Sequence, residues 1–168
     1  QAKVEATVGQ QKVSTTVTVQ LETTTNGGIE PATSPGPGGY EGVGGEGIGG
    51  AVTPGVKAVL DGTVTADPGM HWLYPYDKTV FPLGLLAPLL QWKAGPGAVA
   101  DGILIHLSAK NYDYKGYFAR PAALPAGQPF VRHPIPQATW DAATRSAGGG
   151  TLTVALTVAA GGKAYGPI

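Results

Sequence analysis

The chain has 168 residues, 11 basic and 11 acidic side chains and no cysteine, and its 27 glycines and 15 prolines make up a quarter of it. Zero net charge gives no field to gather nucleic acid or an anionic membrane surface, and the missing thiols exclude disulfides, thiolate metal sites and a cysteine nucleophile. The glycine and proline content leaves a core smaller than the length suggests, enough for one large or two small β domains.

The chain opens on Gln1 without a charged start leading into an apolar run, so it reads as processed or as a fragment. Val4, Ala6 and Val8 alternate with polar residues, and Val13, Val17, Val19 and Leu21 do so over the clearest strand in the sequence. Gly9, Gln10 and Gln11 between the two runs supply a tight turn, so residues 3–22 read as an antiparallel hairpin that must pack on something else. Residues 26–55 collapse into Asn-Gly-Gly, Pro-Gly-Pro-Gly-Gly and a glycine-rich run, with too little apolar mass to offset the entropy of ordering them. They read as a linker or long surface loop. A phosphate-cradling loop is set aside, because Gly42 to Gly50 lack the preceding strand, the following helix and the lysine it requires.

Residues 56–66 read as a second hairpin, turning at Asp61-Gly62. Beyond them Pro75, Pro82 and Pro88 exclude a central helix and leave edge strands and extended loops around Leu89 to Trp92. The longest apolar stretch, residues 83–90, is broken by Gly84 and Pro88 and is far shorter than the roughly 20 residues of a bilayer crossing. Ile103, Ile105 and Leu107 alternate with Leu104, His106 and Ser108, the pattern of a central strand covered on two sides. A tyrosine-rich stretch (112–118) and a proline-spaced loop follow. One short helix of one or two turns is expected near Pro136, passing Trp140 and stopped by Gly148 to Gly150. Leu152, Val154, Leu156 and Val158 then mark the last strong strand. The fold class is all-β.

Pro75 with Thr79-Val80-Phe81, Leu89-Leu90-Gln91-Trp92, Leu104 to Leu107, and residues 152–158 with Gly161-Gly162 and Tyr165-Gly166-Pro167 together resemble a degenerate immunoglobulin or fibronectin type III-like module of bacterial surface proteins. Ile103 or Ile105 stands where the fibronectin pattern carries a tyrosine. Residues 3–22 resemble the closing hairpin of a separate Ig-like domain. The resemblance implies an Ig-like β-sandwich over 56–168, its last strand expected to be incomplete in the piece at hand, preceded by a hairpin (1–25) and a Gly/Pro-rich linker (26–55). It implies spacing, adhesion or scaffolding and transfers no catalytic residue.

No constellation points to chemistry. His71, His106 and His133 lack ligand spacing, with His71 and His133 expected on the surface and His106 on the polar side of its strand. His106 with Ser108 and Asp101 or Asp113 lacks a nucleophile elbow. The carboxylates Glu22, Glu30, Glu41, Glu46, Asp61, Asp67, Asp77, Asp101, Asp113 and Asp141 mostly flank glycine or proline as solvated turn residues, unlike the rigid pair of a glycosidase. Asp61, Asp77 and Asp113 lack a calcium loop. The aromatics are more suggestive: Trp72, Tyr74 and Tyr76 form one cluster, and Tyr112, Tyr114 and Tyr117 with Phe118 another. Residues i and i+2 share a strand face, so either set can form a platform for a sugar ring or a partner side chain, or simply cap the core. Trp92 and Trp140 are expected in the core.

The expectation is therefore a non-enzymatic structural, spacer or adhesion module, extracellular or on the bacterial cell surface, with no cofactor and no metal. Its partners are protein neighbours or other domains of the same parent chain, with polysaccharide the alternative through the tyrosine clusters, and no nucleic acid or membrane insertion. A self-assembling filament or coat subunit, pairing strands between neighbours, is the other alternative.

Overall fold

The computed structural model describes residues 2–28, 47–95 and 99–168. Strands β1 (Ala2–Val8) and β2 (Gln11–Val17) pair antiparallel through a two-residue turn, with Gly9 at a φ of 62°. The long strand expected through residue 21 stops at Val17. After residues 18–20 the chain starts β3 (Leu21–Asn26), which lies parallel to a strand far along the sequence.

Residues 54–60 form a helix, α1 (Pro54–Leu60), where a hairpin strand was expected. Thr53 caps it by accepting the Val56 N–H, and proline at the first position is pre-set for helical φ. Asp61-Gly62 ends this helix instead of turning a hairpin. Then come β4 (Val64–Thr65), β5 (His71–Tyr74), β6 (Leu89–Lys93), β7 (Gly102–Ala109) and β8 (Tyr112–Ala119). The order closes with β9 (Arg132–Pro134), α2 (Gln137–Ala147), β10 (Thr153–Ala160) and β11 (Lys163–Tyr165). The helix after Pro136 is thus about three turns long, more than the one or two expected. Gly148 ends it at a φ of 56°, the left-handed cap that glycine takes without a Cβ clash.

Among the described residues the strands form three sheets: the β1–β2 hairpin, a six-stranded sheet in the order β3-β8-β7-β10-β11-β4, and a three-stranded sheet β5-β6-β9. The six-stranded sheet is antiparallel at its centre and parallel at both edges, where β3 joins β8 and β4 joins β11. Strand alternation divides its residues between two faces. One face carries Ile103, Ile105 and Leu107 of β7, Tyr112, Tyr114 and Phe118 of β8, and Leu156 and Val158 of β10. The small sheet and α2 lie over it, adding Leu90, Trp92, Phe130, Ile135, Trp140 and Ala143 to a single core. The other face is covered by α1, where Val52 and Leu60 pack on Tyr117 and Ala159.

The protein is mostly β, with Trp92 and Trp140 in the core as expected. Of the residues expected as a linker, 29–46 lie outside the described residues. Those on either side are built into the fold: Asn26 ends β3 and Pro54 begins α1.

Candidate functional site

Polar side chains, some exposed and some buried, cross-tie separate stretches of chain. Asn26 clamps Val52, its Oδ1 accepting the Val52 N–H at 2.9 Å and its Nδ2 donating to the Val52 carbonyl at 3.3 Å. Beside it the Gly27 N–H donates to the Tyr117 carbonyl at 2.7 Å, the Gly28 N–H to the Gly49 carbonyl at 3.0 Å, and the Ala119 N–H to the Gly50 carbonyl at 2.8 Å. Residues 26–28 and 47–52 therefore meet at the end of β8.

His133 contributes to the same junction. Its Nε2 lies 2.8 Å from the Ile48 carbonyl, to which it donates as Nε2–H. The ring is fully buried against Phe118, 4.2 Å away between centroids, which corrects the expectation of a surface histidine. Burial holds its pKa down at about 4 against the pull of the Ile48 and Pro134 carbonyls, so the ring is neutral at pH 7. The sequence carried the signal: Val131, His133 and Ile135 alternate toward one face, and two apolar neighbours on that face place the histidine inside.

Under α1, the Tyr117 hydroxyl donates to Asp61 Oδ1 at 2.5 Å and Lys57 Nζ donates to Asp61 Oδ2 at 2.5 Å. Lys57 also stands 4.2 Å over the Tyr117 ring. The Lys57 ammonium and then the Tyr117 hydroxyl hold the Asp61 carboxyl below its usual range, while burial first and Asp61 second push the Tyr117 phenol up. The cluster fastens the end of α1 to β8.

The aromatic candidates go to different places. Tyr112, Tyr114 and Tyr117 are each 2% exposed, and their rings belong to the interior. Burial raises the Tyr112 phenol to about 12 and also raises that of Tyr114, whose hydroxyl meets Thr25 Oγ1 at 2.8 Å. Rings in the core offer no face on which a sugar can stack. Trp72 and Tyr74 are half-buried and Tyr76 exposed. Trp72 meets Trp92 edge-on at 6.4 Å, and Tyr74 meets Tyr76 edge-on at 6.3 Å with planes at 85°, so this set is not a flat platform.

The titratable candidates are also dispersed. His106 Nε2 meets Asp113 Oδ2 at 2.8 Å on the outer face of β7 and β8, both half-exposed, and Ser108 shares that face opposite Asp113. His71 is exposed on β5. Asp61 is held under α1, Asp77 lies in the loop after β5, and Asp113 pairs with His106. No group of three His, Cys, Asp or Glu side chains stands together among the described residues. A cavity of about 40 Å³ beside Met70, Trp92, Phe130, Val158 and Tyr165, with Asp67 in its lining, has room for water molecules and not for a substrate.

No protein-family model, curated protein or solved structure matches this chain. These polar side chains are structural ties, and the fold and this geometry are what a functional reading rests on.

Proposed function

We propose that this chain is a non-enzymatic structural, spacer or adhesion module of a bacterial surface or secreted protein, built as an Ig-like β-sandwich. One observation carries the reading. The interior side chains Tyr114, Tyr117 and His133 and the exposed Asn26 each fasten one segment of chain to another, as a domain does whose task is to hold its shape between neighbours. Two facing sheets joined through Trp92 and Leu90 support the sandwich reading. Work of this kind needs shape and contact surfaces, with partners among protein neighbours or adjoining domains. Protease treatment of intact cells that make the protein tests the location: digestion of these residues without lysis is expected, and full protection until lysis overturns the reading.

A second reading, assembly by strand pairing between neighbours, is favoured by the hairpin. Its register puts Ala2, Val4, Ala6, Val8, Val13 and Val17 on one face, and both strands are exposed throughout. An apolar two-stranded ribbon is marginal until something covers it. Filaments seen by electron microscopy at high concentration, and lost in Val4→Lys, are the expected outcome. A wild-type chain that forms none under the same conditions removes this reading.

A further inference from the structure

An asparagine followed by glycine readily loses its side-chain amide, because the glycine has no Cβ to hinder attack by its own nitrogen. Of the two asparagines in the chain only Asn26 is followed by glycine, since Asn111 precedes Tyr112. Asn26 is exposed at the end of β3, in reach of water. The groups that this reaction needs are nevertheless held. The Gly27 N–H, whose proton must leave before the nitrogen can attack, donates to the Tyr117 carbonyl at 2.7 Å. The Asn26 carboxamide, which must turn its Cγ toward that nitrogen, is fixed at both ends on Val52: Oδ1 accepts the N–H at 2.9 Å and Nδ2 donates to the carbonyl at 3.3 Å. Gly27 has a φ of 84°, and a Cβ there would run into the backbone of Ala51. The junction therefore requires glycine at the position that makes Asn26 reactive.

We propose that Asn26 is a gated deamidation site, inert while residues 26–28 and 47–52 are joined and converted irreversibly when that junction opens. In the opened segment the Gly27 nitrogen gives its proton to hydroxide and bonds to Asn26 Cγ. The Cγ–Nδ2 bond breaks, and Nδ2 leaves as ammonia with a proton taken from water. Water then adds to one of the two carbonyls of the five-membered imide and breaks that carbon's bond to the nitrogen. The product is aspartate or, where the main chain is rerouted through Cγ, isoaspartate. Water is the only co-reactant. Aspartate puts an oxygen where Nδ2 stood, so two acceptors face each other at the Val52 carbonyl with no proton between them. Isoaspartate adds a carbon to the main chain next to the N–H groups of Gly27 and Gly28, which donate to Tyr117 and Gly49. Either product keeps the junction from closing as before, so the dipeptide records its openings. This chemistry is independent of the module reading above.

Peptide mass spectrometry tests it, following the mass gained by the fragment that carries Asn26 as its NH2 becomes OH. The full chain is incubated at mildly alkaline pH, folded in one sample and unfolded in urea in the other. Conversion at least about tenfold slower in the folded chain is expected, the factor set by a junction open no more than about one time in ten. Equal rates in the two samples overturn the proposal, and so does an unfolded chain that does not convert. Asn26→Asp supplies one product directly. Its amide hydrogen exchange is expected to be at least about tenfold faster than wild type at Gly27, Gly28, Val52 and Ala119, with the amides of Ile105 in β7 and Leu156 in β10 unchanged. Wild-type exchange at the junction means that the converted chain closes again, and faster exchange at Ile105 and Leu156 as well means that Asn26 holds the whole fold. Either result overturns a local gate.

Discussion

Protonating His133 puts a charge into a fully buried site whose nearest rings are Phe118 and Phe130. In the unfolded chain its imidazole takes a proton near pH 6.5, whereas in the native protein it does so only near pH 4. The unfolded state therefore binds more protons between those values. Stability is fully present above pH 6.5 and falls as the pH drops through the window, by about 3 kcal/mol at pH 4. Urea midpoints measured from pH 8 to pH 4 check this, and the His133→Phe variant is expected to flatten that slope. Tyr117 makes a different kind of tie. Tyr117→Phe keeps the ring under Lys57 but removes the hydroxyl from Asp61, for an expected loss of about 1–2 kcal/mol in the same denaturation assay. A change indistinguishable from zero would mean that Lys57 alone holds Asp61.

At the scale of elements, the fold was legible wherever one strand carried its own pattern. Leu156 and Val158 in β10, Ile103 and Ile105 in β7, and the helix halted by Gly148 all follow from local alternation or capping. The same alternation, applied to Tyr112, Tyr114, Gly116 and Phe118, puts the tyrosines on the buried face. They were readable as interior once set against the polar partners Asp113 and Lys115. α1 was hidden by its length of seven residues and by the turn signal of Asp61-Gly62, although Thr53-Pro54 spells a helix start. β3 had no local signal, because Leu-Glu-Thr-Thr-Thr-Asn alternates little and is held by backbone bonds to β8 that only the fold supplies. The cross-ties of Asn26, Tyr117 and His133 were illegible for the same reason. Within β8, Gly116 is required by its own strand: a Cβ there would run into the Tyr114 hydroxyl and the Phe118 ring, both buried. Gly116→Ala is expected to cost about 1–3 kcal/mol by overpacking, read as a lowered thermal midpoint.

For the molecule as a whole, the Gly28 N–H donates to the Gly49 carbonyl, so the chain on the two sides of residues 29–46 meets at one place. Replacing residues 29–46 by a six-residue Gly/Ser link is expected to keep the fold and to gain up to about 1 kcal/mol from the shorter closure. Calorimetry checks it, and a collapse of the transition would show that those residues pack on the domain. The parallel edges have a consequence for biosynthesis. Thr25 of β3 meets Tyr114 of β8 across 89 positions of sequence, and among the described residues β4 has only β11 as its sheet neighbour. A ribosome adding roughly 5–20 residues per second therefore leaves β3 unpaired for on the order of 5–20 s. During that interval its backbone is open to any strand nearby, including one on the next nascent chain of the same polysome.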